Sequence, residues 1–154
     1  MQFLFGFIVG AIVVGFGMWK IIPGMMSITK KSKLNFEDTV EAVQNEAKAL
    51  GWNAPHVYNM QQSFTKAGYE NVEKMRVVSL GHAKFAYQIV KNDKDKFVLG
   101  FMPYRAGVYE DRNGDVFITG ANMGIMSKMF GGNIEKIMGA SAKELEKAFA
   151  KFTV

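Results

Sequence analysis

The sequence predicts an α+β domain, a largely antiparallel sheet with helices packed on one face, set behind a single transmembrane helix. Three observations predict it. The N-terminal stretch MQFLFGFIVGAIVVGFGMWKIIPGMM holds no charged side chain from residue 2 to residue 19, and about 20 apolar residues span a bilayer. Beyond it, strand-like and helix-like segments follow one another without the regular alternation that builds a parallel sheet. Asn113-Gly114, between two β-rich runs, is a strong signal for an antiparallel hairpin.

Residues 1–24 read as the anchor. Trp19 and Lys20 suit a membrane interface, and Pro23-Gly24 suits the stop. No Lys or Arg precedes the apolar run and no A-x-A-like site follows it, which argues against a cleaved signal peptide. Gly6 and Gly10 form a G-x-x-x-G pair, a spacing that lets helices approach closely in a membrane. The expected partners are therefore the lipid bilayer and either a second copy of the chain or a larger membrane complex.

Residues 25–33 read as a basic linker that runs into a first strand. The formal charge is +5, and Lys20, Lys30, Lys31 and Lys33 supply +4 of it with no acid before residue 34. The remaining 15 basic and 14 acidic side chains leave the domain nearly neutral. A nucleic-acid binder needs a basic face on the domain itself, so nucleic acid is not expected. Lysines on the C-terminal side of the span favour a cytoplasmic domain by the positive-inside rule, with a periplasmic domain as the alternative.

The domain covers residues 34–154. NFEDTVEAVQNEAKALGW reads as a helix: Asn35 caps it, Phe36, Val40, Val43, Ala47 and Leu50 form one apolar stripe, and Gly51 ends it. HVYNMQQSF reads as a strand entering a short helix, EKMRVVSLG as a strand, and HAKFAYQIVKND as a helix. KFVLGFMPYRAGVYE reads as an extended run that bends at Pro103. VFIT (116–119) then pairs back on AGVYE. Two helices finish the chain: one over 121–130, stopped by Gly131-Gly132, and one from Ser141, with Ser141 and Glu144 as a capping box.

The order of these motifs resembles the domain of unknown function 302 family. Phe36, Thr39 and Val40 sit at the start of its capped helix, and Pro103, Val108, Tyr109, Glu110 and Gly114 sit along its later strand and turn. The resemblance spans residues 34 to about 152. It implies a fold similar to the TATA-binding protein, a tendency to homodimers, and no settled activity. Many relatives carry cysteine directly after the motif proline, where this chain has Tyr104, and the chain has no cysteine at all. Thiolate chemistry, disulfides and Cys-ligated metals are excluded with it.

The candidate ligand-binding residues are His82, Met102, Tyr104, Arg105, Tyr109, Asn122, Met123 and Met126. His82 opens a helix directly after Gly81, and strand alternation puts Arg105 and Tyr109 on one face and Tyr104 on the other. An arginine between aromatic side chains can hold an anion bidentately. Of 11 methionines, Met1, Met18, Met25 and Met26 belong to or flank the anchor. Met102, Met123, Met126 and Met129 could serve Cu(I) or a haem as soft ligands, or pack as adaptable apolar side chains; no cofactor is the first expectation, with haem or copper the alternative. No nucleophile elbow, phosphate loop, dinucleotide fingerprint or H-E-x-x-H is present. The sequence thus points to a non-catalytic accessory or ligand-binding domain, with a Met/Tyr/Arg-lined cleft for a small molecule as the alternative.

Overall fold

The structure, a computed structural model, describes residues 2–154; the side chains of residues 2–5, 8, 9, 12 and 18 lie outside what it describes, and so do the readings placed on Met1 and on the Met18 side chain. In chain order the elements are α1 (Gln2–Met25), β1 (Ser27–Lys31), α2 (Phe36–Ala49), β2 (Asn53–Asn59), α3 (Met60–Lys66), β3 (Met75–Gly81), α4 (Ala83–Val90), a 3-10 helix (Asp93–Phe101), β4 (Tyr104–Glu110), β5 (Val116–Ala121), α5 (Met123–Phe130) and α6 (Gly132–Phe149).

The five strands form one antiparallel sheet in the order β1-β5-β4-β3-β2. Alternation divides the side chains between two faces. Val78 and Leu80 of β3, Ala106 and Val108 of β4, and Val116 and Ile118 of β5 are buried under helices α2 and α6, where they meet Phe36, Val40, Val43, Leu145 and Phe149. A second cluster of Ile89, Val98, Ile134, Ile137 and Met138 joins α4, the 3-10 helix and α6. The register Met75↔Tyr109↔Phe117 and Val77↔Gly107↔Thr119 marks the opposite face, on which Tyr109 and Phe117 stack with ring centroids 5.3 Å apart.

The α2 helix forms as its sequence directs. Asn35 Oδ1 accepts from the Asp38 N–H, and the apolar stripe Phe36, Val40, Val43, Ala47 faces the sheet. Thr39 is fully buried, and its hydroxyl donates to the Asn35 carbonyl at 2.7 Å, which leaves the Ser32 hydroxyl to donate to Thr39 Oγ1, also at 2.7 Å. That pair ties the end of β1 to the first turn of α2. β1 is thus an edge strand of the domain, on residues the sequence assigned to a linker.

Several expectations need correction. The helix α1 forms over the expected stretch, but among the described residues no helix is long and apolar enough to cross a membrane, so the transmembrane helix is not upheld. Lys20 limits its uncharged run to residues 2–19, short of the about 20 apolar residues of a span, and Pro23 removes a backbone bond beyond it. Its Phe7, Val13, Val14, Phe16, Trp19, Ile21 and Ile22 are exposed. Residues 96–101 are not extended: they finish the 3-10 helix, whose Val98 fills the second cluster. α6 begins at Gly132, nine residues before Ser141; Ser141 lies buried mid-helix and donates to the Met138 carbonyl instead of capping.

Candidate functional site

Two cavities lie on the helix-covered side of the sheet. The larger, about 860 Å3, opens between β1, β5, α5 and α6. Ile28, Ile118 and Gly120 form its floor, and Lys30, Lys128, Lys136, Lys143, Glu135 and Glu146 stand among its lining residues. The smaller, about 290 Å3, lies between β3, α4, the 3-10 helix and α6. Trp52, Tyr104, Met123 and Ser141 line both, so they form the wall between them.

This geometry gathers part of the predicted set. His82, Met102, Tyr104 and Met123 line the smaller cavity; Tyr104, Asn122 and Met123 line the larger. Arg105 and Tyr109 are separated from them by the sheet itself, because they alternate with Tyr104 and Val108 and face the opposite side. Met126 lines neither cavity and is half-buried on α5, while Met129 is exposed. Gly6 and Gly10 share one side of α1, with open space around the position of an added Cβ at each.

Each gathered residue has a local reason for its place. Asn122 caps α5, its Oδ1 accepting from the Ile125 N–H, and its Nδ2 donates to the Met25 carbonyl, tying the end of α1 to the start of α5. Met123 follows directly and packs against the Ile137 and Met138 cluster. His82 stands at the N-cap of α4 without a capping bond from its side chain. Its ring lies 4.4 Å from that of Phe85 and meets Trp52 edge-on at 5.4 Å. Trp52, directly behind the helix-ending Gly51, is one of the four residues that line both cavities, and it is absent from the predicted set.

Tyr104 is perturbed by its place in the wall. Burial, and then the negative charge of Glu146, push its hydroxyl up from 10.0 to about 12. The unfolded chain therefore loses this proton first. Its contribution to stability is fully present below about pH 10 and lost as pH rises through 12, a change on the order of 2 kcal/mol. Alkaline unfolding of Tyr104→Phe should lack this component, with tyrosinate absorbance as the check; an unchanged alkaline limb would contradict the assignment.

Among the described residues, no three His, Asp or Glu side chains stand close enough together to hold a metal. A family model described as "Domain of unknown function DUF302" matches residues 28–152. No curated protein matches the chain. A crystal structure of an uncharacterized conserved DUF302 protein from Bacillus stearothermophilus is similar, with 16% identity and a TM-score of 0.74, covering 83% of this chain and 98% of that one. At that identity the likeness concerns the fold.

Proposed function

The chain belongs to the DUF302 domain family, and on that premise we propose a non-catalytic accessory role in which the domain binds a small molecule in the cleft beneath its helices. The observation that carries this reading is the pair of adjoining cavities, of about 860 and 290 Å3, walled by Trp52, Tyr104 and Met123. Small-molecule sites are concave, mainly apolar and furnished with a few convergent polar groups. Extraction of the unfolded chain, purified at its native level, should release one small molecule per chain in unaltered form. One copper ion per chain would instead favour the soft-metal reading, for which His82, Met102 and Met123 line a common cavity. A chain that carries nothing, or that converts what it carries, argues against the proposal.

Association is the second part of the role, and a second copy of the chain is the partner we favour for the uncovered sheet face. Met75, Val77, Tyr109 and Phe117, half-buried on the side of the sheet away from α2 and α6, give that face an apolar centre. A flat face of this kind can pair with itself about a two-fold axis. Val77→Lys would place two cations at the centre of such a contact, and light scattering after gel filtration should show the monomer at concentrations where the parent is a dimer. A parent that is monomeric at every concentration removes this partner.

The exposed apolar side chains of α1 support a lipid bilayer as a further partner, with Lys20, Lys30, Lys31 and Lys33 close by to meet anionic headgroups. The contact proposed is that of these side chains, not of a crossing helix. The full chain should float with anionic vesicles and a chain lacking residues 2–25 should not; equal flotation of the two would refute it.

A further inference from the structure

We infer that the smaller cavity takes a neutral, mainly apolar molecule bearing a single hydroxyl or carbonyl oxygen, and that Trp52 and His82 receive that oxygen. The inference rests on the ligand-binding reading and adds the chemical class of the ligand. Its walls are Leu80, Phe85, Ile89, Val98, Met102 and Met138 with few polar groups, and none of its lining residues is Asp, Glu, Lys or Arg. An apolar cavity of about 150 Å3 is enough to hold benzene; this one has close to twice that room, at about 290 Å3.

Two polar atoms of that wall stand unsatisfied. Trp52 Nε1 and His82 Nδ1 are buried and lack a hydrogen-bond partner, and Trp52 as a whole is only 6% exposed. Leaving a buried group of this kind unpaired is costly, so native proteins leave few of them. The indole nitrogen can only donate, whereas a neutral imidazole nitrogen donates or accepts according to tautomer. A ligand hydroxyl serves both, accepting from Trp52 and either donating to His82 or accepting from it; a carbonyl serves both when His82 Nδ1 carries the proton. A carboxylate would arrive without a cationic side chain on the wall and would bear the desolvation of its charge. Neither nitrogen reaches solvent, so the oxygen meets them once the His82 ring turns from its edge-on contact with Trp52. The ring contacts that hold it, at 5.4 Å to Trp52 and 4.4 Å to Phe85, are apolar ones that a ligand chain can replace.

The test uses the full chain carrying Trp19→Phe, which leaves Trp52 as the sole tryptophan, kept soluble with a polymer amphiphile that does not enter cavities as detergent does. n-Octanol should shift the Trp52 emission saturably. n-Octane and, at pH 8, octanoate should bind about tenfold more weakly, since each loses the hydrogen bonds or brings an unpaired charge. His82→Phe should narrow the gap between octanol and octane, while Ala86→Phe, which fills the cavity, should abolish saturation with an unchanged far-ultraviolet spectrum. If Ala86→Phe does not fold, Leu99→Trp, read by calorimetry, obstructs the same cavity from a more exposed position. Octane binding as well as octanol, octanoate binding best, or no saturation with any of the three overturns the inference. If a molecule is nonetheless released from the natively purified chain, the ligand-binding reading survives that failure.

Discussion

Replacing Phe36 with alanine is expected to destabilise the domain by about 3–5 kcal/mol, the usual cost of emptying a large aromatic site in a core. Phe36 is 2% exposed and meets the sheet from the first turn of α2. Its ring also lies beneath two cations, with the Arg76 guanidinium 5.4 Å and the Lys74 ammonium 5.9 Å from its centre. Both lose that partner with the ring, which places the expected cost toward the upper part of the range. Chemical denaturation should show the midpoint falling with little change in slope. Phe36→Leu should recover most of the loss, since it restores volume without the aromatic face. A cost under about 1 kcal/mol for Phe36→Ala would mean that α2 does not close the core as described.

The second large effect is expected at Gly120, on the floor of the larger cavity. A Cβ there would stand 2.1 Å from Tyr104 Oη, 2.9 Å from its Cζ and 3.2 Å from the Arg105 carbonyl oxygen. Gly120→Val therefore drives the Tyr104 ring from the wall between the cavities, at about 1–3 kcal/mol for an overpacked site. Because the conflict lies mainly with one side chain, Tyr104→Ala should relieve it. The double variant should be more stable than the sum of the two single losses by an amount on the order of 1 kcal/mol, the size of coupling seen between touching residues. Purely additive losses would show that the strain lies in the strand backbone and not against Tyr104.

These two positions also show what was legible in the sequence. The motif residues Phe36, Thr39, Val40 and Val108 were readable because they recur at helix and strand periods, and their work is structural: they are buried between α2 and the sheet. Glu110 pairs with Lys74, and Gly114 takes a positive φ of 83° in the hairpin, again roles in the fold. The alternation of β4 correctly divided Tyr104 from Arg105 and Tyr109, but a linear reading could not tell which side of the sheet holds the cleft. That depends on α5 and α6, which arrive from later in the chain. Residues 96–101 read as extended because their β-forming side chains are also what a short 3-10 helix uses to fill a gap in the core, and tertiary packing decides between the two. Ser141 misled for a related reason: a serine followed three residues later by glutamate fits a cap, yet helix α6 had already started at the glycine pair before it. The apolar N-terminal run correctly marked a helix, while Lys20 and Pro23 in the same letters limit its uninterrupted apolar length.

The cleft as a ligand site is tested most directly by native mass spectrometry of the full chain, purified at its own expression level, beside the Gly120→Val variant. The parent is predicted to carry the added mass of one small molecule per chain, released on unfolding. The variant is predicted to lose most of it while keeping its secondary structure, because Tyr104 then occupies the space. Identical bare masses for both, or an added mass that Gly120→Val leaves untouched, would contradict a ligand site at this wall.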